Sequence, residues 1–453
     1  MNYHKSLKRR VSLLLCLLSL TTTILASEHG IELNLHRFQR LNTPQFQTRA
    51  QDWFGIGIDR TFELAPQKTL KLNGESRYYR TDGNFIYSVA EAYWNYKDRR
   101  NELTIGRRVV DWNPGEAYWG LNNGLNGRQG LTLLGQEQEG LTGLHFNRKM
   151  GDLRFKFFMS YIFVPGLNPD TSYENGEVKS RSEWVRLPPK RTTFRDVPLS
   201  IFYKVEIPDL DEIVFKRSLG AGLDFKWNSG LISVFAIYKP ENRLRANALV
   251  EGIDTEKSQV VIKAEPVVNH HVMIGAHIIQ KIEEVTLLAA IDVTDPNATI
   301  GKDFDSLDPV QLRETNRVFE SDDFVILPSY DRESTFRLAA TTQVARARVG
   351  ASFITLLSKN TRGDDFFTDT VKWKNAFGLY SDLQITEEIF FAIDYKYDVT
   401  RKDEIIKTEA SYTFPQGFRF LIGAELLKSP RNDSYWSVYR ANDTIYGRLS
   451  AYF

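Results

Sequence analysis

The sequence predicts an all-β protein: a single closed, antiparallel transmembrane β-barrel of about 18 strands. Three observations support this fold class. Segments of roughly ten residues alternate apolar and polar side chains with a period of two, which is typical of barrel strands. The first 26 residues have the pattern of a secretory signal peptide. The last stretch, Asp443–Phe453, alternates in the same way and ends on an aromatic residue.

The amino terminus predicts export. Four cations within the first ten residues precede a short apolar segment, 11–20, and Ala26 offers a small residue for cleavage before Ser27. Such a segment is too short for a membrane-spanning helix. We therefore divide the chain into a signal peptide, residues 1–26, and one barrel domain, residues 27–453. Because Cys16 is the only cysteine, we expect neither disulfides nor thiol chemistry in the exported chain.

The composition narrows the class further. Beyond the signal peptide, no run approaches the roughly 18 apolar residues that a spanning helix needs. Hydrophobic content is ordinary at 42%, whereas aromatic content is high at 13%. The aromatic girdles of a membrane barrel account for such an excess. A net charge of +1 gives no indication of a nucleic-acid partner.

The carboxy-terminal stretch carries the first resemblance. Its apolar phase runs through alternate residues from Ile445 to Phe453. This pattern resembles the carboxy-terminal signal strand of Gram-negative outer-membrane β-barrels, in which the assembly machinery reads a terminal Phe. The resemblance implies an outer-membrane location among lipid and lipopolysaccharide, the barrel-assembly machinery as a partner, and Phe453 as the assembly signal. A last strand that pairs with the first would also remove both sheet edges.

The remaining strands follow in order along the chain. In the amino-terminal part, apolar residues alternate in five segments, which begin near Ile31, Phe54, Leu70, Ile86 and Glu102. In the carboxy-terminal part, the predicted strands are Val285–Ile291, Phe336–Thr342, Ala347–Leu357, Val371–Leu379, Ile389–Tyr397, Ile406–Phe414 and Phe418–Leu426. Two further candidates, Ile201–Val205 and Val260–Lys263, are poor. Because an even number brings both termini to one side, we predict 18 strands, and the pattern also accommodates 16 or 20.

The fifth strand, Glu102–Trp112, contains a pair of arginines. Arg108 falls on the polar phase, whereas Arg107 falls on the apolar phase, which faces lipid at a cost of about 2–4 kcal/mol near the bilayer midplane. We expect a β-bulge at Gly106 to turn Arg107 inward. The Gly-Arg pair followed by Trp112 resembles strands of several porin-like families over about ten residues.

The predicted inner face is basic. Ten cations are expected to line the pore: Arg107, Arg108, Arg337, Arg346, Arg348, Lys372, Lys374, Lys396, Arg419 and Arg448. A lumen lined by Arg and Lys favours anions electrostatically. The alternative is that these cations pair with carboxylates and only keep the wall hydrated.

The stretch after the fifth strand, 112–138, is rich in Gly, Asn and aromatic residues. It occupies the position at which trimeric porins place the loop that folds inward. That placement predicts a constriction that includes Glu116, Tyr118, Trp119 and Arg128. An ordinary outward loop is the alternative, and the same aromatic and polar residues would also suit sugar binding.

These features predict a porin-like channel for passive diffusion of small hydrophilic solutes, with an anion preference. The alternatives are a ligand-specific transporter for a sugar, an acidic polymer or a hydrophobic compound, and a non-conducting adhesion or structural barrel. We expect no enzyme activity, cofactor or metal; the pair His270–His271 lacks a third ligand nearby in sequence. The sequence leaves a homotrimer and a monomer equally open.

Overall fold

The structure is a computed structural model of the whole chain. It describes residues 31–41, 50–80, 83–110, 112–116, 118–121, 126–129, 136–165, 172–180, 187–194, 197–242, 244–254, 257–297, 325–326, 332–358, 371–431 and 434–453. The predicted signal peptide, residues 1–26, lies outside these ranges.

Eighteen strands form one antiparallel sheet in which each strand pairs with the next barrel strand along the chain, which confirms the predicted fold class and strand number. They are β1 (Ile31–Arg40), β2 (Ala50–Ala65), β3 (Lys68–Tyr79), β4 (Asn84–Lys97), β5 (Asn101–Arg108), β8 (Leu141–Met150), β9 (Leu153–Ser160), β14 (Ser218–Trp227), β15 (Gly230–Pro240), β18 (His270–Ile282), β19 (Val285–Asn297), β21 (Glu333–Val344), β22 (Ala347–Leu356), β23 (Asn375–Gln384), β24 (Ile389–Asp398), β25 (Glu404–Thr413), β26 (Phe418–Lys428) and β27 (Thr444–Tyr452).

The sheet closes where the last strand meets the first. Strands β1 and β27 pair antiparallel from Glu32 opposite Tyr452 to Arg40 opposite Thr444. Two backbone hydrogen bonds between Ile31 and Phe453, of 3.1 and 3.0 Å, extend this ladder. Closure leaves the barrel sheet without a free edge, so its backbone polar groups are paired within the wall.

The connections separate the two ends of the barrel. Eight short connections of two to four residues lie at the end that also holds Ile31 and Phe453. The longer connections lie at the opposite end, for example 109–140, 161–217 and 241–269. In membrane barrels the long loops are extracellular, so we call these the short-turn end and the long-loop end.

The two faces of the wall differ in polarity. On β15, Ile232 and Val234 are exposed on the outside, whereas Ser233, Phe235 and Ile237 on the other phase are buried inside. On β26, alternate residues from Phe418 to Leu426 form the same apolar outer band. Because successive side chains point to opposite faces of a strand, the alternation in the sequence becomes an apolar exterior and a mixed interior. Among the described helices, none is both long enough and apolar enough to cross a membrane.

The long connections contain further elements outside the barrel sheet. These are β6 (Asn126–Gln129), β7 (Gln136–Glu139), β10 (Ser172–Glu174), β11 (Glu177–Lys179), β12 (Arg191–Phe194), β13 (Val197–Val205), helix α1 (Leu210–Val214), β16 (Arg245–Asp254), β17 (Gln259–Val267), β20 (Val325–Ile326) and a 3-10 turn (Tyr435–Tyr439).

Five of these strands form a second sheet in the order β12, β13, β17, β16 and β20. The two poor strand candidates near residues 201 and 260 lie in this sheet, as parts of β13 and β17. They are therefore not strands of the barrel wall. Strands β13 and β17 pair in parallel, from Ser200 opposite Gln259 to Val205 opposite Ala264. Leu199, Ile201, Tyr203, Ala248, Val260 and Ile262 form a hydrophobic core for this sheet.

Two local predictions are wrong. Strand β23 begins at Asn375 and not at Val371, so Lys372 and Lys374 precede the strand. The expected bulge at Gly106 is absent, because β5 pairs with β4 and β8 through this residue without a register shift. The register shift lies instead in the pairing of β3 with β4, between Asn73 and Gly74. Gly106 has a positive φ of 128°, a conformation that favours glycine.

Candidate solute pathway inside the barrel

The segment after β5 enters the barrel. Trp112, Glu116 and Trp119 are each no more than 2% exposed, although the segment contains only short turns. Trp112 packs against Leu141 and Phe158 on the near side of the barrel. The side chains from Asn113 to Trp119 contact strands β19 to β24, on the wall opposite β5. We call residues 112–121 the inner segment; residues 111 and 117 are outside the described ranges. Three groups of contacts hold it in place.

The first group centres on a buried ion pair. Arg337 on β21 and Asp292 on β19 form a salt bridge, and both side chains are at most 3% exposed. Asn113 joins them: its Nδ2 donates to Asp292 Oδ1 at 3.1 Å, and Arg337 Nη2 donates to its Oδ1 at 2.7 Å. Thr335 Oγ1 donates to the other carboxylate oxygen at 2.9 Å. The start of the inner segment is therefore fixed to the far wall by a charged network.

The second group centres on Tyr118. Its hydroxyl donates to Asp394 Oδ1 on β24 at 3.1 Å, and Lys396 Nζ lies 4.1 Å from the ring centroid. Lys396 also donates to Asp394 Oδ2 at 2.7 Å. Burial, reinforced by the Asp394 charge, raises the pKa of the Tyr118 phenol, so the hydroxyl stays a donor. Gly378 permits this approach, since a Cβ there would lie 2.3 Å from the Tyr118 oxygen.

The third group is aromatic. Trp119 Nε1 donates to Ser352 Oγ on β22 at 3.0 Å, and Trp373 Nε1 donates to the Trp119 carbonyl oxygen at 2.8 Å. Trp436, from the connection between β26 and β27, lies 5.1 Å from Trp373 between ring centroids. Lys372 Nζ donates to the Gly120 carbonyl oxygen at 2.5 Å. Three connections thus pack together inside the long-loop end of the barrel.

The chain returns to the wall beside β4. Arg107 Nη2 pairs with Glu139 Oε2 at 2.7 Å, and Glu139 Oε1 accepts a hydrogen bond from Ser88 at 3.0 Å. Gly140 N donates to the Ala90 carbonyl oxygen at 2.8 Å. Arg107 therefore contacts the returning chain without the bulge that we expected. Arg128 belongs to β6, but its side chain is outside the described part of the structure.

The ten predicted pore-lining cations fall into two sets. Five of them pair with carboxylates: Arg107 with Glu139, Arg108 with Glu102, Arg337 with Asp292, Arg348 with Asp382 and Lys396 with Asp394. Their environments range from 1% exposed at Arg337 to 59% exposed at Arg348.

The other five have different surroundings. Arg346, which we expected to line the pore, lies in the turn between β21 and β22, where it donates to the Ile385 carbonyl oxygen. Lys372 and Lys374 lie before β23. Arg419 donates to Ser411 Oγ at 3.0 Å, and Arg448 shares the inner phase of β27.

Several contacting residues were missed by sequence reasoning. Asn113, Asp292, Trp373 and Trp436 position the inner segment, yet each lies in a different connection or strand. One signal was available: Asp292 directly follows the apolar run 285–291 that began β19. A buried charge in such a strand needs a partner, although its identity depends on the barrel geometry.

A cavity of about 210 Å³ lies beside the first turn of the inner segment. It is lined on the inner wall by β5, β8 and β9. Trp112, Arg108, His145, Asn147 and Lys156 contribute aromatic, amide and cationic groups to it. Within the described residues, no three His, Cys, Asp or Glu side chains are arranged to hold a metal ion.

Comparison with solved structures finds similar chains that match over most of their length. OccK11 (OpdR) of Pseudomonas aeruginosa is 11% identical with a TM-score of 0.46, covering 93% of this chain and 94% of its own. OccAB3 of Acinetobacter baumannii is 9% identical with a TM-score of 0.47, covering 94% and 98%. OpdK of P. aeruginosa, solved with vanillate, is 10% identical with a TM-score of 0.44, covering 93% and 96%. No family model and no curated protein matches this chain.

Proposed function

We propose that this protein is an outer-membrane, porin-like channel for passive diffusion of small hydrophilic solutes. One observation supports the proposal above all: an inner segment crosses the lumen of a closed barrel and is fixed to the opposite wall. A barrel with charged inner side chains holds water, and an inward segment reduces its cross-section. In this proposal Glu116, Tyr118 and Trp119 narrow the path and the wall charges select among solutes. The pore size and the electric field of the wall charges select the solutes, and no covalent bond is made or broken.

Single-channel current in a planar bilayer tests the proposal. We expect stable conductance from the wild-type protein, and a larger conductance from Tyr118→Ala, because this change removes a bulky side chain and its tie to Asp394. Tyr87→Ala is the matched control, since Tyr87 lies on the outer face and is 64% exposed. A folded but silent wild-type barrel would refute the channel. Equal conductance for Tyr118→Ala and wild type would refute the constriction.

The anion preference rests on fewer residues than the sequence suggested. Five of the predicted cations pair with carboxylates, and in this proposal Arg419 and Arg448, on the inner face of adjacent strands, contribute to the preference. Under a salt gradient, the reversal potential of the wild type should favour anions, and Arg419→Glu with Arg448→Glu should move it towards cations. Lys428→Glu, on the outer phase of β26, should leave it unchanged.

The 210 Å³ cavity supports a second candidate, a ligand-specific transporter. Trp112, Arg108 and Asn147 line it, so an aromatic, a cationic and an amide side chain lie at the same place. This candidate predicts that a solute blocks the current in a saturable way and that Trp112→Ala relieves the block. A current that stays proportional to every solute concentration excludes it.

We further infer how the chain reaches its location. Residues 1–26 would be cleaved on export, residues 27–453 would form one barrel domain, and the assembly machinery would read Phe453. The apolar outer band suits outer-membrane lipid and lipopolysaccharide. Comparing the mass of the purified protein in detergent with that of one chain distinguishes a homotrimer from a monomer.

A further inference from the structure

A shallow groove of about 590 Å³ lies on the outer surface of the barrel, across strands β14, β15, β18 and β19. Small side chains form its floor: Ala221 is opposite Ala236, and Ala276 lies in the next strand pair. Larger apolar side chains, among them Leu223 and Ile274, stand around them. The groove therefore has walls and a floor that are almost wholly apolar.

The alternation of the strands shows which side the groove faces. On β15, the lining residues Val234 and Ala236 alternate with Ser233, Phe235 and Ile237, which are no more than 3% exposed inside the barrel. The groove thus opens outward, towards the hydrocarbon of a bilayer, and is separate from the solute pathway.

Polar and cationic groups lie above the groove at the long-loop end. Lys216 and Arg217 directly precede β14. The His270 ring donates from Nε2 to the Arg217 carbonyl oxygen at 3.2 Å and stacks on Tyr238, with 4.8 Å between centroids and 14° between planes. Arg217 directly precedes β14, and Tyr238 and His270 lie on the adjacent strands β15 and β18, all of which line the groove. They form its upper rim.

The spacing fits within one membrane leaflet. Arg217 precedes the groove residue Ala221 by four positions, which is about 14 Å along the strand at ~3.4 Å per residue. Strands of membrane barrels tilt by about 35–45°, so the depth is about 10 Å, which lies within half of a hydrocarbon core about 30 Å thick. A lipid with its head at Arg217 would carry its chains down to the groove.

Exposed apolar side chains surround the rim. Ile207, Leu210 and Phe215, in α1 and its flanks, are 81%, 76% and 69% exposed, and Tyr161 at the end of β9 is 64% exposed. Water would oppose such exposure, whereas the boundary between headgroups and acyl chains suits apolar and aromatic side chains beside cations. Asp211 and Glu212 lie on α1, so an anionic headgroup belongs at the β14 end of this segment.

We propose that this surface is a binding site for a phosphate-bearing glycolipid of the outer leaflet. Its phosphate would lie at Lys216 and Arg217, where cations complement it, and one acyl chain would occupy the groove. The site would fix a particular lipid on the β14–β19 side of the barrel, beyond the general solvation that the outer band provides.

Native mass spectrometry of the full barrel, titrated with purified lipid A, tests the site. We expect a retained adduct on the wild type, and affinity about tenfold weaker for Ala276→Phe, which fills the groove, and for Arg217→Glu, which repels the phosphate. Two matched controls should bind like the wild type. Ala351→Phe enlarges an outward alanine on β22, and Lys428→Glu reverses an outward cation at the long-loop end of β26.

Heat-modifiable migration in gels establishes that each variant is folded, and Ala276→Val and Arg217→Gln provide milder changes at the same positions. Equal weakening by the controls would overturn the site. Wild-type affinity in both Ala276→Phe and Arg217→Glu would also overturn it. Equal binding of dephosphorylated lipid A would overturn the role of the phosphate. If the groove variants instead dissociate an oligomer and leave lipid binding unchanged, the groove is a contact between copies. Conductance should not change, so this result is independent of the proposed channel.

Discussion

At the scale of single residues, the interior is organised by charges whose burial differs widely. The Arg337–Asp292 pair is almost inaccessible and shares both members with Asn113 of the inner segment. The Arg348–Asp382 pair has the same chemistry, but its arginine is 59% exposed. Losing one partner of a buried pair leaves an uncompensated charge, whereas an exposed pair is screened by water.

Asp292→Asn should therefore release the start of the inner segment. The expected destabilisation is about 3–5 kcal/mol for a buried pair, so amide exchange in residues 112–121 should quicken by about a hundredfold or more. Hydrogen–deuterium exchange of the folded barrel measures this. Asp382→Asn is the matched control and should change exchange by less than about tenfold. Equal effects of both substitutions would mean that the inner segment does not depend on the buried network.

At the scale of elements, the second sheet connects three long loops. Strands β12 and β13 come from the connection 161–217, β16 and β17 from 241–269, and β20 from 298–332. Their apolar side chains form a core away from the barrel wall. The loops at this end are therefore held together by pairing and packing that resemble those of a small globular unit.

Ile201→Ala should weaken this sheet selectively. Ile201 is 8% exposed in the core, and such a truncation costs about 2–5 kcal/mol. We expect faster amide exchange in Ser200–Val205 and Gln259–Ala264, with unchanged heat-modifiable migration of the barrel. Ser200→Ala, at the exposed neighbouring position, should alter stability by no more than about 0.5 kcal/mol. A loss of barrel assembly in Ile201→Ala would show that the second sheet and the wall form one cooperative unit.

At the scale of the whole molecule, closure determines stability. The last strand pairs with both β26 and β1, and Phe453 reaches Ile31 through two backbone hydrogen bonds. A gap at this seam would leave two edges in hydrocarbon, where unpaired backbone groups are costly.

Phe453→Ala should lower the fraction of protein that assembles in the outer membrane, which the heat-modifiable band in gels of membrane fractions measures. Phe418→Ala is the control, because Phe418 faces outward on β26, the other neighbour of the last strand, and is 43% exposed. Normal assembly of Phe453→Ala, or an equal loss in both variants, would contradict a special role for the terminal residue.

The sequence by itself determined the barrel. A period of two over segments of about ten residues is a local property of the chain, so the outer and inner phases of β1 to β5 and β21 to β27 could be assigned without coordinates. The strand number followed from counting those segments together with the requirement for even parity. Local signals were weaker near residues 201 and 260, where strands of a small sheet have the same composition as strands of a wall.

Only the tertiary structure decided what meets inside the barrel. Asn113 is far from Asp292 in sequence, and Trp119, Trp373 and Trp436 come from three connections, so no local pattern relates them. The inner cations show the same limit: alternation indicated their face, but the pairing of Arg337 with Asp292 depends on the register between the adjacent strands β19 and β21. The face to which a strand side chain points follows from its neighbours along the chain. The contacts among Asn113, Asp292 and the three tryptophans depend instead on how distant segments meet inside the closed barrel.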